Sequence, residues 1–397
     1  MYLRFVKKLS WLSILCFASF IHSTESTLLT TKQQFELAQF TTFAGKTIKQ
    51  VKVGWESYGQ LNADKSNVIL ITHYFTGNSH AAGKYHSSDK NVGYWDAIIG
   101  PNKAIDTNKY FVISVDSLAN LGVHNPKVIT TGPASINPDT GKPYGLSFPV
   151  VTIRDFVNVQ KAVLESLGIS KLHAVVGASM GSMQALDWAA TYPNWVERMV
   201  SVIGSGQSDA WTTSLLEFWA MPIKLDPNWN QGNYYDNQFP IKGLTQALMA
   251  ITQQALAPAY FNQQNPQHTP LENAPLNDIR QQHGVVKWLT NRAAARAQQM
   301  DANHLLYLVR ACQLYLAGHQ DNLSQGLPKV KAPSLFLPSS NDLLLMPYLA
   351  KESHQKLLVA GKRSSYLEIE GDLGHLNGIN HIQQHGTTLA TFLATEI

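Results

Sequence analysis

The chain has 397 residues, 44% of them hydrophobic and 15% charged, with a formal net charge of +4. These values exclude a disordered chain and suit one large α/β domain, or such a domain with an added cap. Arg4, Lys7 and Lys8 supply three of the positive charges, and without them the net charge is about +1. Nothing in that balance calls for nucleic acid or a charged membrane as partner.

The chain begins "MYLRFVKKLSWLSILCFASFIHSTES", with basic residues first, an apolar stretch to about Ile21, then small and polar residues. This is a secretory signal pattern, expected to span 1–23 and to be cleaved near Ser23. Its apolar part is too short for an ordinary membrane span, so no stable span is expected after cleavage, and an uncleaved anchor is the lesser alternative. The mature protein is then periplasmic or secreted. Cys16 follows Leu15 rather than a small residue, which argues against a lipoprotein. The other cysteine, Cys312, stands alone in the mature chain and falls in an apolar helical pattern. It reads as a core residue with no disulfide partner.

Short β-rich runs follow at 67–73, 110–116, 172–177, 198–204, 333–339 and 365–370. Each is almost continuously apolar, as strands buried on both faces of a parallel sheet are. Helical patterns at 152–168, 183–192 and 387–395 alternate with them, and Gly168 and Pro193 stop the first two. The alternation predicts a doubly wound, mostly parallel sheet, the α/β-hydrolase fold. No strand pattern is found from 206 to 326, where "SLLEFWAM", "GLTQALMAITQQALA" and "NHLLYLVRACQLYLAG" read as helices. The predicted organisation is a core of 24–205 and 327–397 with a helical cap at 206–326, a separate helical domain being the alternative.

Gly177-Ala178-Ser179-Met180-Gly181 matches G-x-S-x-G between a strand and a helix, the setting of a nucleophile elbow. A serine hydroxyl needs an adjacent base. In this fold an acid and then a histidine follow in sequence, each on a loop after a strand. Asp342 in "LFLPSSNDLLLMP" and His375 in "EIEGDLGHLNGI" hold those positions. His375 would take the Ser179 proton, and Asp342 would orient the imidazole. Asp372, His354, His381 and His385 are weaker candidates: Asp372 shares the His375 turn, and the three histidines fall in helical stretches. The backbone N–H of Met180 is the natural first oxyanion donor, and Phe75 in "HYFTGNSH" the second. His73, His80, His86 and Asp89 match no compact metal spacing, so no metal is expected. No cofactor is needed.

The stretches "TGPASINPDTGKPYGLSFPVVTIRDFVNVQKAVLESLGI" and "GASMGSMQALDWAATYP" resemble the homoserine O-acetyltransferase family of α/β-hydrolases. "HYFTGNSH", "DPNWNQGNYY" and "MDANHLLYL" resemble its oxyanion and cap segments. The resemblance implies the same five site residues, a helical cap that can form a homodimer, and ping-pong transfer of acetyl from acetyl-CoA through the serine to homoserine. Two features depart from it. The family pattern Gly-Leu-Ser-x-Ala-Arg carries an arginine for the substrate carboxylate, whereas "GLTQAL" puts Leu248 there, leaving Lys224 or Arg292 as substitutes. The signal pattern also points away from a cytosolic thioester. An exported acyl hydrolase or esterase, acting on a small-molecule ester or thioester, is therefore expected. A genuine transferase, with acetyl-CoA as co-substrate, and a non-catalytic binding protein are the alternatives.

Overall fold

The computed structural model describes residues 28–264 and 278–396, so the signal pattern at 1–23 lies outside the described residues. Eight strands form one sheet: β1 (Gln33–Thr41), β2 (Thr47–Tyr58), β3 (Val68–Thr72), β4 (Phe111–Val115), β5 (Ala174–Ala178), β6 (Met199–Val202), β7 (Ser334–Leu337) and β8 (Ser364–Tyr366). Their spatial order is β1-β2-β4-β3-β5-β6-β7-β8. Strands β3 to β8 run parallel, while β1 and β2 are antiparallel additions at one edge. The six apolar runs all become sheet strands, although "SYLEIE" pairs only over 364–366 and at one bridge between Ser339 and Ile369. Strand β3 shows why both faces had to be apolar. Val68 and Leu70 enter one core layer, Ile69 and Ile71 the opposite one.

From β3 the chain crosses to β4 on one side and then returns to β5 on the other. The carboxyl ends of β3 and β5 therefore flank a switch point, where open α/β sheets hold their ligands. Helix α1 (Ile153–Ser166) and helix α2 (Met180–Thr191) cover one face there. A buried polar spine fixes α2 against α1. Arg154 donates to Asp187 from Nε (2.7 Å) and Nη2 (3.0 Å), and Gln160 joins Gln184 at 2.6 Å. A two-pronged geometry of this kind offsets much of the cost of desolvating the charges.

Between β6 and β7 lie α3 (Ala210–Leu225), α4 (Ile241–Ala255), α5 (Pro258–Gln264), α6 (Gly284–Ala297) and α7 (Ala302–Gln313), with no sheet strand among the described residues. The segment leaves and rejoins the core at one place, where Gln207 bridges Leu316. Asp301 knits it together, accepting from Tyr234 (2.8 Å), Tyr235 (3.2 Å) and the His304 N–H (3.0 Å). Two further helices, α8 (Pro347–Val359) and α9 (Gly386–Ala394), complete the core. No helix among the described residues is long and apolar enough to cross a membrane.

Candidate active site

Ser179 sits between β5 and α2 with φ 56° and ψ −120°, a backbone region that a side chain rarely adopts. The two flanking glycines are required by close approach. A Cβ on Gly177 would stand 2.1 Å from the Gly181 carbonyl oxygen, and one on Gly181 would stand 2.0 Å from the Thr72 carbonyl oxygen. Thr72 Oγ1, at the end of β3, donates to the Gly181 carbonyl (2.7 Å) and ties the turn to the neighbouring strand. The result is a serine aimed away from the sheet at the head of a helix.

His375 and Asp342 come together from two later loops. Asp342 Oδ2 accepts from His375 Nδ1 at 2.6 Å, and both residues are buried. Asp342 Oδ1 is occupied separately, by the backbone N–H groups of Leu344 (2.8 Å) and Leu345 (3.0 Å). With Nδ1 donating to the carboxylate, the neutral imidazole presents a free lone pair at Nε2, the state a general base needs. Ser179 and His375 line one cavity of about 390 Å³, together with Phe75 and Met180. Among the described residues Ser179 Oγ makes no hydrogen bond, so serine and imidazole share the cavity without a direct bond. Such contacts are often loose before substrate binds. Asp372 is exposed and forms no hydrogen bond or ion pair with His375 among the described residues.

The Phe75 and Met180 N–H groups donate to no protein acceptor among the described residues. Met180 is the first residue of α2, so its N–H is one of the helix's unpaired donors and sits at the positive end of the helix dipole. The Phe75 loop is held from behind by His73. Its Nδ1 donates to the Tyr74 carbonyl (2.8 Å) and its Nε2 accepts from the Ser117 N–H (3.0 Å). Burial pulls the His73 pKa down, which suits this neutral, fully bonded role. His73 is thus a scaffold group, and His80 pairs with Glu56 at 2.9 Å.

Several residues escaped the sequence reading. Asn377, fully buried, clamps the loops that carry Asp342 and His375: its Nδ2 donates to Ser339 (2.9 Å) and Asn341 (3.1 Å), and its Oδ1 accepts from the Leu373 N–H (3.2 Å). Cys312 is buried as expected but belongs to the cavity wall, and burial pushes its thiol up to about 12. Of the aromatic residues in the helical segment, Trp219 reaches the cavity, stacking edge-on against Phe75 at 5.3 Å. Tyr234 and Tyr235 are spent on Asp301, while Trp211 and Phe218 are exposed. Leu248 is buried in the core. Lys224 pairs with Glu217 at 2.6 Å, whereas Arg292 lines the cavity with a second arginine, Arg296.

A strand-serine-helix turn, a buried histidine-carboxylate pair and an eight-stranded, mostly parallel sheet define an enzyme of the α/β-hydrolase class, and residues 67–382 match the family model for the alpha/beta hydrolase fold. Within that class the chain belongs to the homoserine O-acetyltransferase family. It is 38% identical over 351 residues to a homoserine O-acetyltransferase of Methanohalobium evestigatum, covering 88% of this chain and 70% of that one. Among solved structures, a homoserine O-acetyltransferase from Bacillus anthracis superposes with TM-score 0.90 at 38% identity, covering 93% of this chain and 99% of that chain. Esterase E22 superposes with TM-score 0.90 at 63% identity, covering 92% of this chain and all of the other.

Proposed function

We propose that this protein is an acyl hydrolase, an esterase built on the homoserine O-acetyltransferase scaffold. The observation that carries the reading is the buried 2.6 Å His375–Asp342 pair facing the same cavity as the strained Ser179. Ser179 Oγ attacks the ester carbonyl carbon while His375 Nε2 takes its proton. The oxyanion that forms accepts hydrogen bonds from the Phe75 and Met180 N–H groups. As the tetrahedral adduct collapses, the C–O bond to the alcohol breaks and His375 returns the proton to the leaving oxygen. Water, deprotonated by His375, then resolves the acyl-enzyme to acid and free serine. No cofactor enters these steps. Support for hydrolysis over transfer comes from Leu248, a buried leucine where the family pattern carries its carboxylate-binding arginine, and from the 63% identity to an esterase.

The second reading is genuine acetyl transfer from acetyl-CoA to homoserine. The names of the 38%-identical relatives favour it, as does the presence of other arginines in the cavity. Incubation with p-nitrophenyl acetate, and separately with acetyl-CoA and homoserine, decides between them. Fast hydrolysis without CoA-dependent transfer is the expected result, and efficient transfer with negligible hydrolysis would reverse the assignment. We also propose export to the periplasm or beyond, on the pattern of residues 1–23. The mature N-terminus of the protein recovered from its native cell tests this, and an intact Met1 on cytosolic protein would refute it.

A further inference from the structure

The peptide that links Tyr74 to Phe75 carries two polar groups on one rigid plane. The Phe75 N–H finds no protein acceptor among the described residues, and the Tyr74 carbonyl oxygen points the opposite way from the same trans unit. Whatever holds that oxygen therefore aims that N–H. The oxygen accepts from His73 Nδ1 at 2.8 Å and from the Gly77 N–H at 2.9 Å. A carbonyl can only accept, so Nδ1 carries a proton. Across the ring, Nε2 meets the Ser117 N–H at 3.0 Å, and a backbone N–H can only donate. The fully buried imidazole is thus neutral and confined to one tautomer.

Asn120, buried on the loop that follows β4, completes this arrangement. Its Nδ2 has two hydrogens and two partners, the Gly77 carbonyl at 3.1 Å and His73 Nε2 at 3.3 Å. The orientation of the amide follows from a third contact, in which Oδ1 accepts from the Gly122 N–H at 3.0 Å. Reversed, the amide would set its oxygen against the Gly77 oxygen and its NH2 against an N–H. The Asn120 backbone is pinned as well. Its N–H donates to Thr130 Oγ1 at 3.0 Å, and its carbonyl accepts at 2.8 Å from Nδ1 of His304 on α7. One side chain therefore touches both residues whose N–H groups hold the Tyr74 oxygen.

We propose that Asn120 is a positioning residue for acyl transfer at Ser179: acting through His73 and Gly77, it keeps the Tyr74–Phe75 peptide turned so that the Phe75 N–H meets the oxyanion. This role takes Phe75 as an oxyanion donor from the function proposed above, and is indifferent to whether water or another alcohol receives the acyl group. A tilted peptide leaves the ground-state complex almost untouched and weakens the transition state, where the oxygen carries its charge. Losing one oxyanion donor outright lowers kcat by about 10²–10³, which bounds what a misaimed one can cost.

Asn120→Leu removes the amide at nearly constant volume. With p-nitrophenyl acetate its kcat should fall by about tenfold or more while KM stays within about threefold of wild type. An unchanged kcat, or a loss carried by KM alone, overturns the proposal and leaves the esterase reading standing. If the wild type instead transfers acetyl from acetyl-CoA to homoserine and hydrolyses no ester, the esterase reading falls, and the same split should appear in the transfer kcat. A wild type with neither activity overturns both. Should Asn120→Leu not fold, Asn120→Ser leaves room for a bridging water and should show the same split at about fivefold or more. Nitrogen-15 NMR of ring-labelled histidine reads the positioning without any turnover. In the wild type at neutral pH the His73 ring should carry its proton on Nδ1, and in the folded variant that proton should exchange with water about tenfold faster. A His73 proton on Nε2, or an exchange rate the variant does not alter, refutes the assignment.

Discussion

Replacing Asp342 by Asn is the sharpest probe of the proposed chemistry, because the surrounding hydrogen bonds dictate how the amide must sit. Oδ1 accepts from two backbone N–H groups, those of Leu344 and Leu345 at 2.8 and 3.0 Å. An asparagine that kept its oxygen there would turn its NH2 toward His375 Nδ1, where the carboxylate oxygen now lies at 2.6 Å. The flipped amide would set NH2 against two N–H donors and forfeit both bonds, at about 1 kcal/mol or more each. The first orientation wins. His375 Nδ1 then becomes an acceptor, the proton moves to Nε2, and the imidazole can no longer accept the Ser179 proton. A wrong-tautomer defect of this kind lowers kcat by about 10⁴, or about 5 kcal/mol of transition-state stabilisation. Steady-state hydrolysis of p-nitrophenyl acetate, with circular dichroism to verify the fold, measures it. A folded variant that retains more than about a tenth of wild-type kcat would refute the argument.

Ser179→Gly should raise the melting temperature by about 2 °C while abolishing activity, because the positive φ costs a serine about 1–3 kcal/mol and a glycine almost nothing. Gly181→Ala should destabilise the fold by about 2–3 kcal/mol in urea titration and cripple hydrolysis, since its Cβ meets the Thr72 carbonyl oxygen at 2.0 Å and must displace the Met180 N–H. For Glu56, burial alone would raise the pKa, but bonds from His80, Lys32 and Tyr85 outweigh it and hold the carboxyl at about 2. That stability is present above the ordinary pKa near 4.5 and is lost as pH falls toward 2. Glu56→Gln should therefore be less stable by about 3 kcal/mol at pH 7 and show a flatter acid limb in melts between pH 5 and 2.

Much of this molecule could be seen in its amino-acid order, and what escaped did so for physical reasons. The parallel strands were visible because burial on both faces leaves only apolar residues, as in "VILIT" of β3. The β1–β2 hairpin was missed because it sits at the sheet edge, where "QQFELAQFT" alternates between core and solvent and carries polar residues throughout. The meeting of His375 with Asp342 beside the Ser179 cavity was legible because a fold with one chain order constrains where an acid and a histidine can stand. Arg296 was not, since "NRAAARAQQ" reads as a solvated helix face and only the packing of α6 against α4 turns that face toward the cavity. Asn377 was equally invisible, being one amide among many until two distant loops meet around it.

The central claim is that one serine at the β5–α2 turn carries the acyl group. Treating the folded protein with a fluorophosphonate, or quenching it during ester turnover, and locating the added mass by peptide mass spectrometry tests that directly. The adduct should map to Ser179 at one per chain, and Ser179→Ala should take up none. An active protein whose adduct lies on another residue, or that forms none, would contradict the account.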